Sequence, residues 1–419
     1  MSKYLKKFET VAQYESAKPN LILPNVSLIE AGNLVEYNPT TPPTPVETRL
    51  VCKYNVTDTS SETKLCNYTD NFSAIEIDGV EQVSVVDSYQ FDSTGEHTVK
   101  FTLTDPTSLP FATFYYCEDI SSIDFPNSIT SIGAQLCYYN NSLTSITLPD
   151  NVTIGELAFN ACTSLTRVNS SINGVLNIPS GVTLGSRVFE RCGEFTAITV
   201  DANNATYDSR NNCNAIIETS TNKLLLGCKN TVIPNTVTSI ERDAFYECTG
   251  LTSITIPDSV TAIGASAFGN CRSLTTITIP TGVTSITQSL FEGCSGLTTV
   301  NMPSGITFID MWAFRNCSGL TSITIPSAVT RIGQQTFNNC VGLTSIDIPS
   351  GVTRIGSSGF YGCTGLTSVT VNATTPPTLD SNAFDATNNC PIYVPSGSVS
   401  TYKSSQYWFI YSSRIEAIQ

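Results

Sequence analysis

The chain has 419 residues, 40% of them apolar, enough to bury a sizeable core and to make more than one domain. Only 13% are charged, and 21 Lys and Arg against 35 Asp and Glu give a net charge of -14, which excludes the clustered basic surface that a nucleic-acid backbone requires. A single His, His97, rules out a multi-His metal centre and leaves no Ser-His-Asp or Cys-His pair to assemble elsewhere, so neither metal nor cofactor is expected.

From the N-terminus, Leu5, Phe8 and Tyr14 fall at helical spacing and predict a short amphipathic helix. Leu21, Leu23 and Val26 follow in an apolar, strand-like stretch that runs to Ile29. Such a segment needs a partner surface, so residues 1–39 are assigned to attachment. The beginning carries Lys but no continuous apolar run and no small-residue cleavage site, and does not read as a secretory signal. No run of eighteen apolar residues occurs, which argues against a membrane-spanning helix. Residues 40–46, Thr-Thr-Pro-Pro-Thr-Pro-Val, form an extended linker. Residues 47–104 hold alternating runs at 49–54, 73–77, 81–86 and 97–103, which predict a small antiparallel β domain of sandwich type. His97 opens the last of these runs and reads as an ordinary strand residue.

Residues 105–373 are built on a repeat. Cys248, Cys271, Cys294, Cys317, Cys340 and Cys363 lie 23 positions apart, each with Phe three residues before it and Leu three after. An alternating stretch such as Ile254-Thr-Ile256-Pro257 predicts one short strand and Val329-Thr-Arg-Ile332, followed by Gly, a second. Phe and Cys then share one face of a single helical turn. One unit cannot bury its apolar side alone, so the units must stack into a mostly β solenoid, each slot forming an inward ladder while Thr and Ser point out. Reading back, Cys192, Cys162 and Cys117 hold the slot and Asn140 replaces it once, giving ten coils in all. At the usual strand spacing they span roughly 50 Å. Residues 201–231 interrupt the register and predict an inserted hairpin, with strands at 214–218 and 223–227. Residues 374–379 end the regular repeats, and the aromatic remainder of 374–419 predicts a C-terminal cap.

The patterns Leu-x-x-Ile-x-Ile-Pro, Val-x-x-Ile-Gly and Ala-Phe-x-x-Cys resemble the BspA-type leucine-rich repeat, found in bacterial surface proteins, some protozoa and tailed phages. The resemblance spans residues 108–372. It implies a leucine-rich-repeat coil that serves as a binding or adhesion surface, with partners that differ widely. Tyr4-Leu-Lys-Lys-Phe8, Tyr14, Leu23-Pro-Asn-Val-Ser27 and Glu36-Tyr-Asn-Pro39 also resemble the leader of proteins from gut Bacteroidales and their crAss-like tailed phages. There the leader precedes variable fibre or receptor-binding modules, which implies docking onto other virion proteins, of capsid or tail.

The ladder cysteines read as buried thiols, because each is flanked by Phe and Leu and because Asn140 in the same slot points to a small residue, not a ligand. Off the ladder, Cys213 with Cys228 and Cys52 with Cys66 are the pairs a disulfide could join, and the sequence leaves both open. The coil around residue 310 departs from its sisters. It carries Phe308, Met311 and Trp312 where others have Ala262, Ala265 and Ser266, and the next coils place Arg331, Gln334 and Arg354 alongside. Stacking area beside directional donors suits a carbohydrate or protein contact. Packing against the cap or a sister subunit is the alternative. Together these features predict a non-enzymatic virion fibre or decoration protein, displayed on the virion surface, that binds a bacterial surface glycan or protein. A bacterial cell-surface adhesin is the second reading. A polysaccharide depolymerase is the third, and it is disfavoured because the acidic residues Glu241, Asp243, Asp258, Glu292, Asp310 and Asp347 are scattered, with no pair at an obvious cleft. A homo-oligomer such as a trimer would multiply weak contacts.

Overall fold

One coil shows how the slots are used. Val329, Ile332, Phe337, Cys340, Leu343, Ile346 and Ile348 are all buried, while Thr330, Arg331, Thr344, Ser345 and Asp347 between them are exposed. Two short strands, Arg331–Ile332 and Ser345–Ile348, flank a tight turn closed by bonds such as Cys340 N to Phe337 O at 3.1 Å. Each apolar side chain taken from water contributes about 1.5–3 kcal/mol, and only the neighbouring coils can cover it. The Phe337 ring lies between Phe314 at 5.3 Å and Phe360 at 5.2 Å, nearly parallel to both. The same stack runs unbroken from Phe245 to Phe384.

A computed structural model describes residues 49–192 and 195–419, with the backbone of residues 27–30 and 33–36. Met1–Glu47 and Thr48–Gln419 are separate units. In the first, Ser27–Glu30 pairs antiparallel with Asn33–Glu36. The assigned attachment residues Leu5, Phe8, Tyr14, Leu21, Leu23 and Val26, and the 40–46 linker, lie outside the described residues.

The second unit is a β-solenoid. Its first parallel sheet joins Ile120–Asp124, Ser145–Thr147, Arg167–Val168, Val175–Ile178 and Ala197–Val200. Leu50–Val56 pairs antiparallel with Ile120–Asp124, and Gly95–Leu103 and Phe72–Ile77 continue outward from it. The strands of 47–104 are thus continuous with the coil: they cover its first open edge and share its core through Cys52, Phe101 and Phe114. At the other end the ladder runs one rung past residue 373. Thr378–Leu379 pairs with Arg354–Ile355, and Phe384 stacks on Phe360. That rung hides from the sequence pattern because its Phe comes one residue late and buried Thr387 stands in the Cys slot. Trp408 and Tyr402 then close the end, donating to Pro377 O at 2.8 Å and Ala373 O at 2.7 Å.

Between the two halves, Ala215–Glu218 and Lys223–Gly227 form an antiparallel hairpin. It does not stand off the surface, for Lys223–Gly227 pairs in parallel with Ser239–Ile240 and so takes the place of a coil strand. Two buried clusters meet here, one reaching from Leu50 to Cys228 and the other from Cys213 to Ile415. All fifteen cysteines are free and buried, including Cys52, Cys66, Cys213 and Cys228.

Candidate functional site

Strand register sets Ser285, Phe308, Arg331, Arg354 and Thr378 in one row across five parallel strands. The residues that follow them, Ile286, Ile309, Ile332, Ile355 and Leu379, are buried, which turns the row outward. Arg331 lies with its guanidinium carbon 5.4 Å from the Phe308 ring centroid, a cation–π contact. Arg354 donates from Nε and Nη2 to Asp380 Oδ2 at 3.2 and 2.9 Å. Both arginines are exposed, and Phe308 is half-buried.

Met311 and Gln334 occupy the matching turn position of consecutive coils, the first half-buried and the second exposed. Trp312 has a left-handed backbone with φ 60°, is half-buried, and donates from Nε1 to Gln335 Oε1 at 3.1 Å. The structure therefore brings Phe308, Arg331 and Arg354 together, with Met311, Trp312 and Gln334 on the turns that continue the same coils. It does not leave the rings open. Phe308 and Trp312 are partly covered, so this face shows guanidinium and amide groups backed by aromatic surface.

A second concentration of polar groups escaped the sequence, and it corrects the picture of scattered acids. Glu190 and Asp243, both 6% exposed, meet at the hairpin insertion. Arg187 Nε lies 2.5 Å from Glu190 Oε2 and 3.2 Å from Asp243 Oδ2. Arg191 reaches the hydroxyls of Tyr139 at 2.9 Å and Tyr246 at 3.3 Å. Burial, and next the charge of Glu190, push the Asp243 carboxyl up to about 6 against the pull of Arg187, Arg242 and Arg191. The insertion breaks the phase that would have aligned these residues. A signal was nonetheless present: Arg187 and Asp243 take a left-handed turn slot held elsewhere by Ser266, Ser289 and Ser358, and Arg191 and Glu247 one held by Asn270, Asn316 and Asn339.

Comparison with known proteins gives a family model, BspA type Leucine rich repeat region (6 copies), matching residues 61–173, 84–217, 216–344 and 330–419. No curated protein matches the chain. Similar solved structures include a leucine rich cell surface protein from Faecalibacterium prausnitzii A2-165, 25% identical over 73% of this chain and 87% of that one, with a TM-score of 0.49. A leucine-rich repeat protein from Eubacterium ventriosum ATCC 27560 is 24% identical over 64% and 89%, with a TM-score of 0.44. One from Bacteroides ovatus ATCC 8483 is 22% identical over 86% and 99%, with a TM-score of 0.43.

Proposed function

The chain belongs to the BspA-type leucine-rich repeat family, and on that premise we propose that it is a surface-displayed binding protein with no catalysis of its own. Its contact face is the row of Phe308, Arg331 and Arg354, flanked by Met311, Trp312 and Gln334, and its ligand is a bacterial surface glycan or protein. The row carries this reading. Three recognition-type side chains stand one per coil on strands hydrogen-bonded to one another, so little ordering entropy is lost on contact. Hydrolysis is not part of the reading, because Arg187 fills the gap between Glu190 and Asp243 that two catalytic carboxylates would leave for a sugar ring.

The setting we assign is a tailed-phage particle, on the resemblance of residues 4–39 to phage leaders, with residues 1–39 docking onto other virion proteins. A symmetric oligomer, a trimer for example, would raise weak single contacts to useful avidity. Mass spectrometry of purified virions from the source is expected to find the protein; recovery from bacterial outer membranes in its place makes it a cell-surface adhesin. For the contact face, the full chain is expected to label host bacteria in flow cytometry. Arg331→Ala with Arg354→Ala should weaken labelling by about tenfold or more, as loss of a hot spot does. Unchanged labelling removes the row from the reading.

A further inference from the structure

The backbone ladder of turns is interrupted at the insertion. Leu157, Phe159 and Ala161 donate their N–H groups to Ser186, Val188 and Glu190 on the next turn, and Asp243, Phe245 and Glu247 donate to Ala265, Ala267 and Gly269. Among the described residues no such bond joins the 187–191 turn to the 243–247 turn. Gly227 of the hairpin comes in from one side, donating to Ala244 O at 2.8 Å, and lies so close to the Phe245 ring that a Cβ would sit 2.0 Å from it. Elsewhere along the break two depressions of about 340 and 280 Å³ open side by side. Arg187, Glu190, Arg242 and Asp243 line both. Together they reach the size of small-molecule sites, roughly 300–1,000 Å³.

Their chemistry differs. The larger has an apolar wall of Leu184, Ile216, Leu225 and Leu226. The smaller is lined by Tyr138, Tyr246, Asn160 and Arg191. Asp243, 94% buried by its 6% exposure, receives no hydrogen bond on its carboxylate among the described residues, and its buried Oδ2 touches Arg187 and Arg242 only as offset ion contacts at 3.2 and 3.6 Å. Arg191 Nε is likewise buried without a hydrogen-bond partner and meets Glu247 Oε1 only as an ion contact at 3.8 Å. An acceptor and a donor both left wanting are what a hydroxyl satisfies, since it gives and takes at once. The rim mixes signs: Arg187, Arg191 and Arg242 repel a cation, and Glu190 and Asp243 repel an anion.

We propose that the break in the solenoid is a binding cleft for a neutral saccharide. The apolar side of one sugar ring lies on Tyr138, while Tyr246, whose ring the Arg191 guanidinium covers at 5.0 Å, holds that arginine at the rim; the sugar hydroxyls bond Asp243 and Arg191. The adjoining apolar wall takes a methyl-bearing substituent, an N-acetyl or 6-deoxy group. The inference rests on the chain being a binding protein but not on which outer face does the binding.

Saturation-transfer NMR on the full chain tests it, with N-acetylglucosamine, fucose, glucose and glucuronic acid as probes. Transfer is expected to N-acetylglucosamine or fucose, less to glucose and none to glucuronic acid. Asp243→Asn and Tyr138→Ala should each weaken binding about tenfold, the loss expected when a buried polar partner or stacking ring is removed. Tyr138→Leu, which keeps the bulk and loses the ring, serves if Tyr138→Ala fails to fold by its melting curve. Labelling of bacteria is read in parallel, with the Arg331 and Arg354 variants testing the outer row and the cleft variants testing the cleft, so the two readings fail separately. No transfer to any neutral sugar, preference for glucuronic acid, indifference to the cleft variants, or shortening of a chitooligosaccharide by the protein would each overturn the proposal.

Discussion

Single side chains account for the unusual composition. The Sγ of Cys271, Cys294, Cys317, Cys340 and Cys363 donates at 3.0–3.1 Å to the carbonyl of the Phe one coil back, at Phe245, Phe268, Phe291, Phe314 and Phe337. The slot thus asks for a small apolar residue that also serves a buried carbonyl, which is what a thiol offers. Thr298, Thr330, Thr344 and Thr367 donate in the same manner to the carbonyls of Thr275, Thr307, Thr321 and Thr344, so the outward Thr columns bind coil to coil as well as water. Burial pushes the ladder thiols up, Cys294 to about 12 and Cys317 well above the ordinary range. Iodoacetamide is therefore expected to label none of the ladder cysteines in the native protein and all fifteen after denaturation, read by mass spectrometry. Cys317→Ala takes one of the two hydrogen bonds from the Phe291 carbonyl, which keeps that from Cys294 N at 3.1 Å, and opens a small void, so it should cost about 1–2 kcal/mol in urea denaturation.

His97 adds a pH dependence. Its Nδ1 lies 2.7 Å from Asp78 Oδ2 and its Nε2 2.8 Å from Ser93 O. Burial disfavours the charged ring, yet the bonds to Asp78 and Ser93 prevail and raise its pKa above 6.5. Asp78 is lowered, burial opposing and the bonds from His97 and Thr98 prevailing. The stabilisation from His97 is then full below pH 6.5 and is lost as pH rises through its raised value; that from Asp78 is present above 3.8 and is lost as pH falls through its lowered value. NMR of this single His should show a titration above 6.5 that Asp78→Asn brings down.

At the scale of the element, the tight approach of turns explains the Gly that closes each Val-x-x-Ile-Gly. A Cβ on Gly333 would lie 2.5 Å from the backbone of Asp310 and Met311. Gly333→Ala should force neighbouring turns apart at about 1–3 kcal/mol, measured by thermal denaturation, and shift Arg331 two residues before it. The coil elements were legible because every slot finds its partner 23 residues away: Phe337 on Phe314, Arg331 on Phe308. The pairing of Leu50–Val56 with Ile120–Asp124 was not, since an antiparallel contact between unlike segments leaves no period to read. Asp243 and Glu190 stayed hidden for a related reason, because the hairpin between them resets the count.

Among the described residues, two cores meet at the hairpin. Stability in such stacks is a sum of local terms and contacts between neighbours, so the junction is where cooperativity breaks. Both tryptophans, Trp312 and Trp408, belong to the C-terminal half, and His97 lies in the N-terminal one. Tryptophan fluorescence and the His97 NMR signal should therefore give different midpoints in one urea titration. Coincident midpoints would show that the junction transmits unfolding whole.

The self-matching turn has one more consequence. A coil in the run from Phe245 to Phe384 presents on its upper face what its lower neighbour accepts, ring to ring, thiol to carbonyl, hydroxyl to carbonyl. Excise one such unit and the flanking coils meet on surfaces already made for each other. Slippage in the gene can then change the number of coils without inventing a new contact. The Arg187 junction joins unlike surfaces and has no such substitute, so inheritance of length is free on its C-terminal side and fixed across it.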